Sequence, residues 1–325
     1  MKKNILITGG FGLLGQSLVR KLNKKKFNIF VLDKIKYKKR NKFIYKSFSK
    51  IKVLHGNFNE KKYIQKLLIK KNIHIIFHTG AITQVLESLR DPNNTYLTNI
   101  MGTLNFLEII RECNKKIIFV YSSSDKAYGE LRSLSYSEDH RLDSIYPYDL
   151  SKSCSDLICQ SYAKVYGLKI AILRCGNLYG PGDFNTKRIV PETIINALSN
   201  KRLIIRSSGK SIRDYLYIDD ATEAYILTLK KLMNSKNKNL LIYNVGSKYN
   251  YSVLKIVGLI LNLMKKDNLK PLIKNSSKQE LKFQKLNFSK IKKDLGWKQK
   301  TDMNKGLIET IKWYVLNYKN IKRKN

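Results

Sequence analysis

The sequence contains no long uninterrupted apolar run, and this absence argues against a membrane-spanning helix. Its four cysteines (Cys113, Cys154, Cys159 and Cys175) form no Cys-x-x-Cys pair, so we expect buried free thiols. Its four histidines are scattered without the spacing of metal ligands, and no metal site is predicted. The first residues resemble the start of a signal peptide, but glycines interrupt the apolar segment from residue 9 and no cleavage site follows. We therefore expect a cytoplasmic protein.

Acidic residues are scarce, because 24 Asp and Glu stand against 63 Lys and Arg and give a formal net charge of +39. Most of the basic residues are lysines, and they accompany many Asn, Ile and Tyr residues, a mixture that AT-rich codons supply. Since the lysines are spread along the chain rather than gathered on one motif, nucleic-acid binding is a minor alternative. The positive field instead favours anionic substrates such as nucleotide diphosphates.

Apolar runs alternate with amphipathic segments, and this pattern predicts an α/β fold with a Rossmann-type, doubly wound parallel sheet. Strands are predicted over residues 3–8, 27–32, 51–54, 73–77, 116–120, 169–175 and 240–245. The main helices are predicted over residues 16–23, 60–71, 95–113, 148–166, 219–231, 252–265 and 305–318. The pattern changes at residue 176, so we expect a Rossmann domain of residues 1–175 and a smaller, mainly substrate-binding α/β lobe of residues 176–325. Some segments of that lobe should return to the sheet, and residues 319–325 should form a frayed tail.

A glycine motif follows the first predicted strand and precedes the first predicted helix. Gly10-x-Gly12-x-x-Gly15 fits the dinucleotide-binding fingerprint, in which glycines let the backbone approach a pyrophosphate at a helix N-terminus. Asp33 ends the second strand, and its carboxylate could accept both ribose hydroxyls and repel a 2′-phosphate, which favours NAD over NADP. Asp33 could instead be a turn residue at the strand end. The basic residues that follow, which could accept a 2′-phosphate, are Lys34, Lys36, Lys38, Lys39 and Arg40.

Two polar clusters are candidates for catalysis. Ser124, Asp125 and Lys126 follow the strand predicted at residues 116–120, and open α/β sheets place their chemistry at strand ends. Tyr148 and Lys152 are four residues apart, so they share one face of a predicted helix. A nearby ammonium favours the phenolate, which can act as a base. Taken alone, Tyr-x-x-x-Lys could be coincidence in a lysine-rich chain with 20 tyrosines.

Together with these clusters, further motifs occur in a fixed order along nearly the whole chain. They are Thr8-Gly9-x-x-Gly12-x-x-Gly15, Asn99-x-x-Gly102-Thr103, Tyr148-x-x-x-Lys152, Arg174-x-x-Asn177-x-Tyr179-Gly180-Pro181-Gly182, Arg213-Asp214-Tyr215 and Leu295-Gly296-Trp297. In the identity and order of these motifs, the chain resembles the extended short-chain dehydrogenases/reductases, the NAD-dependent epimerase/dehydratase family. Its Ser124-Asp125-Lys126-x-Tyr128 loop is similar to that of CDP-glucose 4,6-dehydratases, in which Lys replaces the usual Glu. The chain is shorter than those enzymes and differs from them over residues 129–146.

The resemblance implies a nucleotide-sugar 4,6-dehydratase that uses NAD. Tyr148 would take the proton of the sugar C4 hydroxyl, with Lys152 lowering its pKa and Ser124 bridging the C4 oxygen. Asp125 would protonate the leaving C6 hydroxyl, and burial would raise its pKa. Lys126 would remove the C5 proton, for which it must be uncharged, or it could be an ordinary surface lysine.

The resemblance also assigns binding residues. The predicted cofactor-binding residues are Gly9, Gly12, Leu13, Leu14, Gly15, Asp33, Asn57, Phe58, Ala81, Asn99, Tyr148 and Lys152. The predicted substrate-binding residues are Asn177, Arg188, Arg206 and Arg213, of which Arg213 and Asn177 would hold the diphosphate and Arg206 would lie near the base. Relatives form dimers through the helices equivalent to residues 95–113 and 148–166, which implies a homodimer.

Two other functions stay open at this point. The first is a 4-epimerase or 4-dehydrogenase, which shares the oxidation at C4 but loses no water, and Asp125 and Lys126 argue against it. The second is a non-catalytic protein that keeps the fold and uses its charge to bind RNA or an anionic surface. The intact Ser124, Tyr148 and Lys152 argue against that second alternative.

Overall fold

The central element of the structure, a computed structural model, is a seven-stranded parallel sheet. The structure describes residues 2–23, 27–34, 51–113, 116–130, 135–276 and 283–322. The strands are β1 (Lys3–Thr8), β2 (Phe27–Asp33), β3 (Lys52–His55), β4 (Ile75–His78), β5 (Ile118–Ser124), β6 (Ile170–Cys175), β7 (Asn177–Tyr179), β8 (Ile204–Ile205), β9 (Ile212–Tyr217), β10 (Leu240–Val245), β11 (Asn250–Ser252) and β12 (Leu272–Ile273). The strand order in the large sheet is β10-β6-β5-β4-β1-β2-β3, so the predicted doubly wound α/β fold is confirmed.

Helices cover both faces of this sheet, and each face has its own apolar core. The helices are α1 (Leu13–Asn23), α2 (Lys61–Lys70), α3 (Val85–Arg90), α4 (Pro92–Tyr96), α5 (Gly102–Glu112), α6 (Pro147–Tyr166), α7 (Ile189–Leu198), α8 (Ile218–Asn234), α9 (Val253–Leu263), α10 (Ser289–Leu295) and α11 (Met303–Lys322). Strands buried on both faces read as continuous apolar runs, which explains why most of them were visible in the sequence. No helix in the described part of the chain combines the length and apolar character that crossing a bilayer requires.

The strand order reverses between β1 and β4, and this reversal opens a crevice at the carboxyl ends of the strands. Successive strands β1, β2 and β3 extend to one side, whereas β4, β5, β6 and β10 extend to the other. The chain leaves the large sheet after Cys175 to form β7 and β9, and β10 then returns to the large sheet's edge. After β10, β11 pairs with β9 and completes a three-stranded sheet of order β11-β9-β7. Strands β8 and β12 form a separate pair.

Several predicted boundaries were wrong. The helix predicted over residues 95–113 is divided into α4, a π-helical turn (Leu97–Met101) and α5, and α3 precedes it. Strand β5 continues to Ser124, because Ser122–Ser124 stay in the parallel ladder with β6. The loop predicted from Asn177 contains β7, and the tail predicted to fray from residue 319 is helical to Lys322, with Ile321 buried. Residues 323–325 lie outside the described residues.

One buried ion pair joins several elements of the sheet and its helices. Arg174 of β6 donates from Nε and Nη2 to the two carboxylate oxygens of Asp156 on α6, both at 2.9 Å. Ser123 of β5 donates to the same carboxylate at 2.7 Å, and Arg174 Nη1 donates to the Tyr128 hydroxyl at 2.9 Å. The side chains of Arg174 and Asp156 are 2% and 0% exposed, so water cannot replace either partner. Removing one charge would leave the other buried and uncompensated.

We predict that Asp156→Ala lowers the free energy of unfolding by about 3–5 kcal/mol, because it leaves the Arg174 guanidinium buried without its counter-charge. Urea denaturation followed by circular dichroism measures the change. The matched control is Glu309→Ala, which breaks an ion pair to Lys312 whose side chains are 50% and 65% exposed. That exposed pair should contribute less than about 1 kcal/mol. Equal losses in the two variants would contradict the assigned role of the buried pair.

Candidate active site

The glycine turn after β1 is packed too closely for side chains. A Cβ added to Gly15 would lie 2.4 Å from the Gly9 carbonyl oxygen and 2.7 Å from Gly10 Cα, and one added to Gly10 would lie 2.4 Å from Val31 Cγ1. Gly9 has a φ of +61°, a conformation that favours glycine. Helix α1 begins at Leu13, directly after this turn, so its first N–H groups lack partners within the helix. The turn therefore fits a bound pyrophosphate.

Asp33 lies at the end of β2, beside this turn. Its Oδ2 accepts a hydrogen bond from the Phe11 N–H at 3.1 Å, which ties the strand end to the glycine turn. Asp33 and Lys34 both line the cleft described below. The other basic residues that could accept the 2′-phosphate of NADP lie outside the described residues; they are Lys36, Lys38, Lys39 and Arg40.

A cleft of about 740 Å³ runs along the carboxyl ends of the strands and brings together most of the predicted site residues. On the side of the glycine turn it is lined by Gly9, Gly12, Leu13, Leu14, Gly15, Asp33, Asn57, Phe58 and Ala81. Its central part is lined by Ser124, Lys126, Tyr148 and Lys152, and its other half by Asn177, Arg188, Arg206 and Arg213. Two predicted residues, Asp125 and Asn99, do not line the cleft and lie behind its wall.

Asn99 forms hydrogen bonds with residues behind the cleft wall. It lies in the π-helical turn, where its side chain accepts a hydrogen bond from Ile82 N at 2.9 Å and donates to Ile82 O at 3.0 Å and to the Ser151 hydroxyl at 2.8 Å. These bonds fix the segment after Ala81 against helix α6. In this structure Asn99 therefore supports the predicted cofactor side of the cleft rather than lining it.

Burial dominates the ionisation of Tyr148 and Lys152. It raises the pKa of the Tyr148 phenol, and the positive charge of Arg188 is the largest influence that lowers this pKa. Burial lowers the pKa of Lys152 to about 8. The Lys152 ammonium donates to Ser122 O at 2.8 Å and lies 5.1 Å from the Tyr121 ring centroid. The expectation that Lys152 lowers the Tyr148 pKa stays a prediction.

The Ser124 hydroxyl joins the strand end to the predicted acid. It donates to Asp125 Oδ1 at 3.0 Å and accepts from the Lys126 N–H at 3.3 Å, which begins the 3₁₀ turn Asp125–Tyr128. It also forms a hydrogen bond with Tyr148 that lowers the phenol pKa. Burial raises the pKa of Asp125, as the predicted acid role requires, although the charge of Lys126, the hydrogen bond from Ser124 and the charge of Arg213 oppose this rise.

Two residues that the sequence analysis did not single out complete the cluster around Lys126. Asp149, next to Tyr148 on α6, is buried, and burial raises its pKa to about 6 while the charge of Lys126 opposes the rise. Gln284 is fully buried, and its Oε1 accepts a hydrogen bond from Lys126 Nζ at 3.1 Å. A carboxylate directly after Tyr148 was a visible signal in the sequence. Gln284 had none, because it lies in no motif and 158 residues from Lys126.

We predict that Gly15→Ala weakens NAD binding about tenfold or more, because relieving the clash with Gly9 strains the turn by about 1–3 kcal/mol. Fluorescence titration with NAD measures the affinity. Gly258→Ala on α9 is the matched control, since no atom of the described residues lies within 4 Å of its added Cβ. The control should bind NAD normally and gain about 0.5–1 kcal/mol of stability. Unchanged affinity in Gly15→Ala would contradict a pyrophosphate at this turn.

The chain is similar to proteins of known activity. Over 324 residues it is 32% identical to the trifunctional UDP-glucose 4,6-dehydratase/UDP-4-keto-6-deoxy-D-glucose 3,5-epimerase/UDP-4-keto-L-rhamnose-reductase of Arabidopsis thaliana, an alignment that covers 97% of this chain and 47% of the relative. The chain thus spans about half the length of this and two similar trifunctional relatives.

Two solved structures are similar over nearly all of both chains. The dTDP-glucose 4,6-dehydratase of Bacillus anthracis in complex with NAD has a TM-score of 0.86 and 25% identity, covering 99% of this chain and 100% of its own. The UDP-glucose 4-epimerase of Thermotoga maritima with UDP-glucose has a TM-score of 0.86 and 26% identity, covering 97% of this chain and 99% of its own.

A family model gives the broader assignment. The model described as the NAD dependent epimerase/dehydratase family matches residues 5–246, which include the glycine turn, the Ser124 strand end and the helix of Tyr148 and Lys152. The chain belongs to the NAD dependent epimerase/dehydratase family.

Proposed function

We propose that the protein is a nucleotide-sugar 4,6-dehydratase, which converts an NDP-hexose to an NDP-4-keto-6-deoxyhexose. The observation that carries this proposal is the buried Asp125 carboxyl, bonded to the Ser124 hydroxyl beside Tyr148. Elimination of the C6 hydroxyl needs a proton donor, and a carboxyl whose pKa is raised by burial can stay protonated to supply it. Oxidation at C4 alone needs no such acid.

NAD is the cofactor of the family, and the residues of the glycine turn and Asp33 would hold its pyrophosphate and ribose. When bound, it accepts a hydride from C4 of the sugar and returns a hydride to C6. Tyr148 takes the proton from the C4 hydroxyl, with Ser124 bonded to the same phenol. Since burial disfavours the phenolate, Tyr148 depends on nearby positive charge, which Arg188 supplies in this structure. Lys152, whose ammonium donates to the Ser122 carbonyl, would bind the nicotinamide ribose.

Once C4 carries a carbonyl, the C5 proton becomes acidic. Asp125, which lies behind the cleft wall and is bonded to the Ser124 hydroxyl that lines the cleft, then supplies the proton with which the C6 hydroxyl leaves as water. The sequence analysis assigned the C5 proton to Lys126, and that assignment stays a prediction.

Arginines in the other half of the cleft support a nucleotide-diphosphate substrate. Arg213 and Arg188 would bind phosphate oxygens with Asn177, because a guanidinium can pair with two oxygens at once. Arg206 is exposed at the cleft, where it would approach the nucleotide base. The CDP-glucose specificity expected from the 124–128 loop stays a prediction, and the relatives described above are named for UDP-glucose and dTDP-glucose.

A 4-epimerase is the second candidate, and the observation that favours it is the structural similarity to the Thermotoga maritima enzyme. The epimerase shares the oxidation by Tyr148 and needs neither Asp125 nor a C5 base. A product of unchanged mass would identify it.

We predict that the protein removes one water from a nucleotide-linked glucose, and mass spectrometry of products from CDP-, UDP-, dTDP- and GDP-glucose measures this. Asp125→Asn should lower the rate of water loss by about 100-fold or more, because the amide cannot supply the proton. Gln299→Ala, whose side chain bonds Ser247 and Lys248 in a surface segment, is a control that should react normally. An isomer of unchanged mass would contradict the proposal.

We also propose a homodimer formed through the π-helical turn, α5 and α6. These elements are joined by the Ser155 hydroxyl, which donates to Asn99 O at 2.9 Å, and by the Tyr162 and Glu108 side chains. Their outer surface carries the large apolar side chains of Leu97, Met101 and Leu157, which are 46%, 43% and 50% exposed. An apolar surface of this kind is typical of an interface between subunits.

We predict that Leu157→Glu converts the protein from a dimer to a monomer, because an unpaired carboxylate would be buried at the interface. Light scattering after size-exclusion chromatography should change from twice the chain mass of 37.8 kDa to that mass. Leu316→Glu on α11, where Leu316 is 81% exposed, should leave the dimer intact. A monomeric wild-type protein would exclude the proposed dimer.

A further inference from the structure

Gln16 is a buried side chain that bridges two segments of the cleft wall. It is the fourth residue of α1 and is 7% exposed. Its Nε2 donates to Phe11 O at 2.8 Å and to Gly182 O at 3.1 Å, an acceptor 166 residues further along the chain. An amide nitrogen carries two N–H donors, so both bonds can form at once. Gln16 therefore joins the glycine turn to the segment that follows β7.

The first of these segments is the turn predicted to hold NAD. The Phe11 carbonyl accepts from Gln16, and the Phe11 N–H donates to Asp33 Oδ2 at 3.1 Å. Phe11 lines the cleft and is 1% exposed. Its backbone thus connects Gln16 with the carboxylate that would bind the ribose of NAD.

The second segment carries Arg188. Asp183 follows Gly182 directly, and its Oδ2 lies 3.4 Å from Arg188 Nη1. The Asp183 side chain is 4% exposed, and its backbone carbonyl accepts from the Tyr314 hydroxyl of α11. Asp183 and Arg188 both line the cleft. The bond from Gln16 to Gly182 O therefore fixes the residue next to the one that holds Arg188.

The backbone at Gly182 is also packed against Gln16. Gly182 has a φ of +91°, in the region that favours glycine, and a Cβ added to it would lie 3.0 Å from Gln16 Oε1. The carbonyl of Gly182 accepts from the same amide group. Contact and hydrogen bond together set the position of this backbone relative to α1.

The position of Arg188 matters for two steps of the proposed reaction. Its guanidinium would pair with phosphate oxygens of the substrate, and its charge is the largest influence that lowers the Tyr148 pKa. A displacement of about 1 Å in a group that positions substrate can slow catalysis about 100-fold. Gln16 does not line the cleft, so it acts on these steps through the residues that it holds.

We propose that Gln16 is a positioning residue, which fixes the segment from Gly182 to Arg188 against the glycine turn and so places Arg188 relative to bound NAD. This inference rests on the proposed function, in which Arg188 binds the diphosphate of the substrate. Gln16 itself takes no part in proton or hydride transfer.

The test is a double-mutant cycle between Gln16 and Arg188 in the whole chain saturated with NAD. The variants are Arg188→Met, the double variant, and Gln16→Met, which keeps the length of the side chain and removes both donors. Isothermal titration calorimetry measures the binding of CDP, UDP, dTDP and GDP, and the melting temperature and the NAD affinity are measured in parallel. The matched control is Gln65→Met on α2, where the half-buried Gln65 amide donates a long, 3.9 Å bond to Cys113 Sγ.

Gln16→Met should weaken diphosphate binding about tenfold. Its NAD affinity should change less than about threefold, because the Phe11 N–H still donates to Asp33. Arg188→Met should lose at least as much diphosphate affinity, and the double variant should bind no more than about twofold worse than Arg188→Met, since Gln16 acts through Arg188. Gln65→Met should bind as the wild type does. If Gln16→Met melts early, Gln16→Ser, whose short side chain reaches neither carbonyl, should show the same loss.

Normal diphosphate binding in a folded Gln16→Met or Gln16→Ser would overturn the proposal. Losses that multiply in the double variant would also overturn it, because they would show a role separate from Arg188. A loss confined to NAD affinity would assign Gln16 to the glycine turn alone, with the same consequence.

These outcomes can be told apart from a failure of the proposed function. If the protein is not a 4,6-dehydratase, the wild type forms no 4-keto-6-deoxy product, while the diphosphates still bind and the cycle still shows the coupling of Gln16 to Arg188. Wild-type protein that binds none of the four diphosphates would overturn both the substrate class and the role of Gln16.

Discussion

The buried ion pair between Arg174 and Asp156 is the interaction on which the rest of the site depends. It joins strand β6 to helix α6, and through Ser123 and Tyr128 it also holds β5 and the 3₁₀ turn. These elements carry Ser124, Asp125 and Lys126 on one side and Tyr148 and Lys152 on the other. Because a buried pair is costly unless every atom is bonded, the pair fixes the relative position of these elements closely. The Arg174–Asp156 pair therefore contributes both to the stability of the fold and to the geometry of the site.

Burial also decides the acid–base properties of the site. It lowers the pKa of Lys152 and raises the pKa of Asp125, Asp149 and Tyr148, so that each group is shifted towards its uncharged form. The effect suits an acid at Asp125. It opposes the phenolate of Tyr148, which must therefore be stabilised by positive charge gathered in the cleft. The large net positive charge of the chain, with Arg188 and Arg213 lining this cleft, is consistent with that need and with an anionic substrate.

The sequence was sufficient for the features that depend on local pattern. Apolar runs identified the strands of the large sheet, and the glycines and the Tyr148–Lys152 spacing lie where their motifs place them. Features that depend on packing between distant residues could not be predicted from the sequence. Local periodicity could not show that the Asn99 helix is interrupted by a π-helical turn, or that β5 continues through three serines held by the ladder to β6. Nor could spacing on one helix show that Lys152 turns to the Ser122 carbonyl, or that distant Gln284 reaches Lys126.

In the proposed reaction, one site oxidises C4, removes water across C5 and C6, and returns the same hydride to C6. Deuterium at C4 of a nucleotide-linked glucose reports on this directly, because its position in the product can be located by NMR. We predict that the label moves to C6 of a 4-keto-6-deoxy sugar. Label that remains at C4 of an epimer, or that is lost to a second substrate, would contradict it.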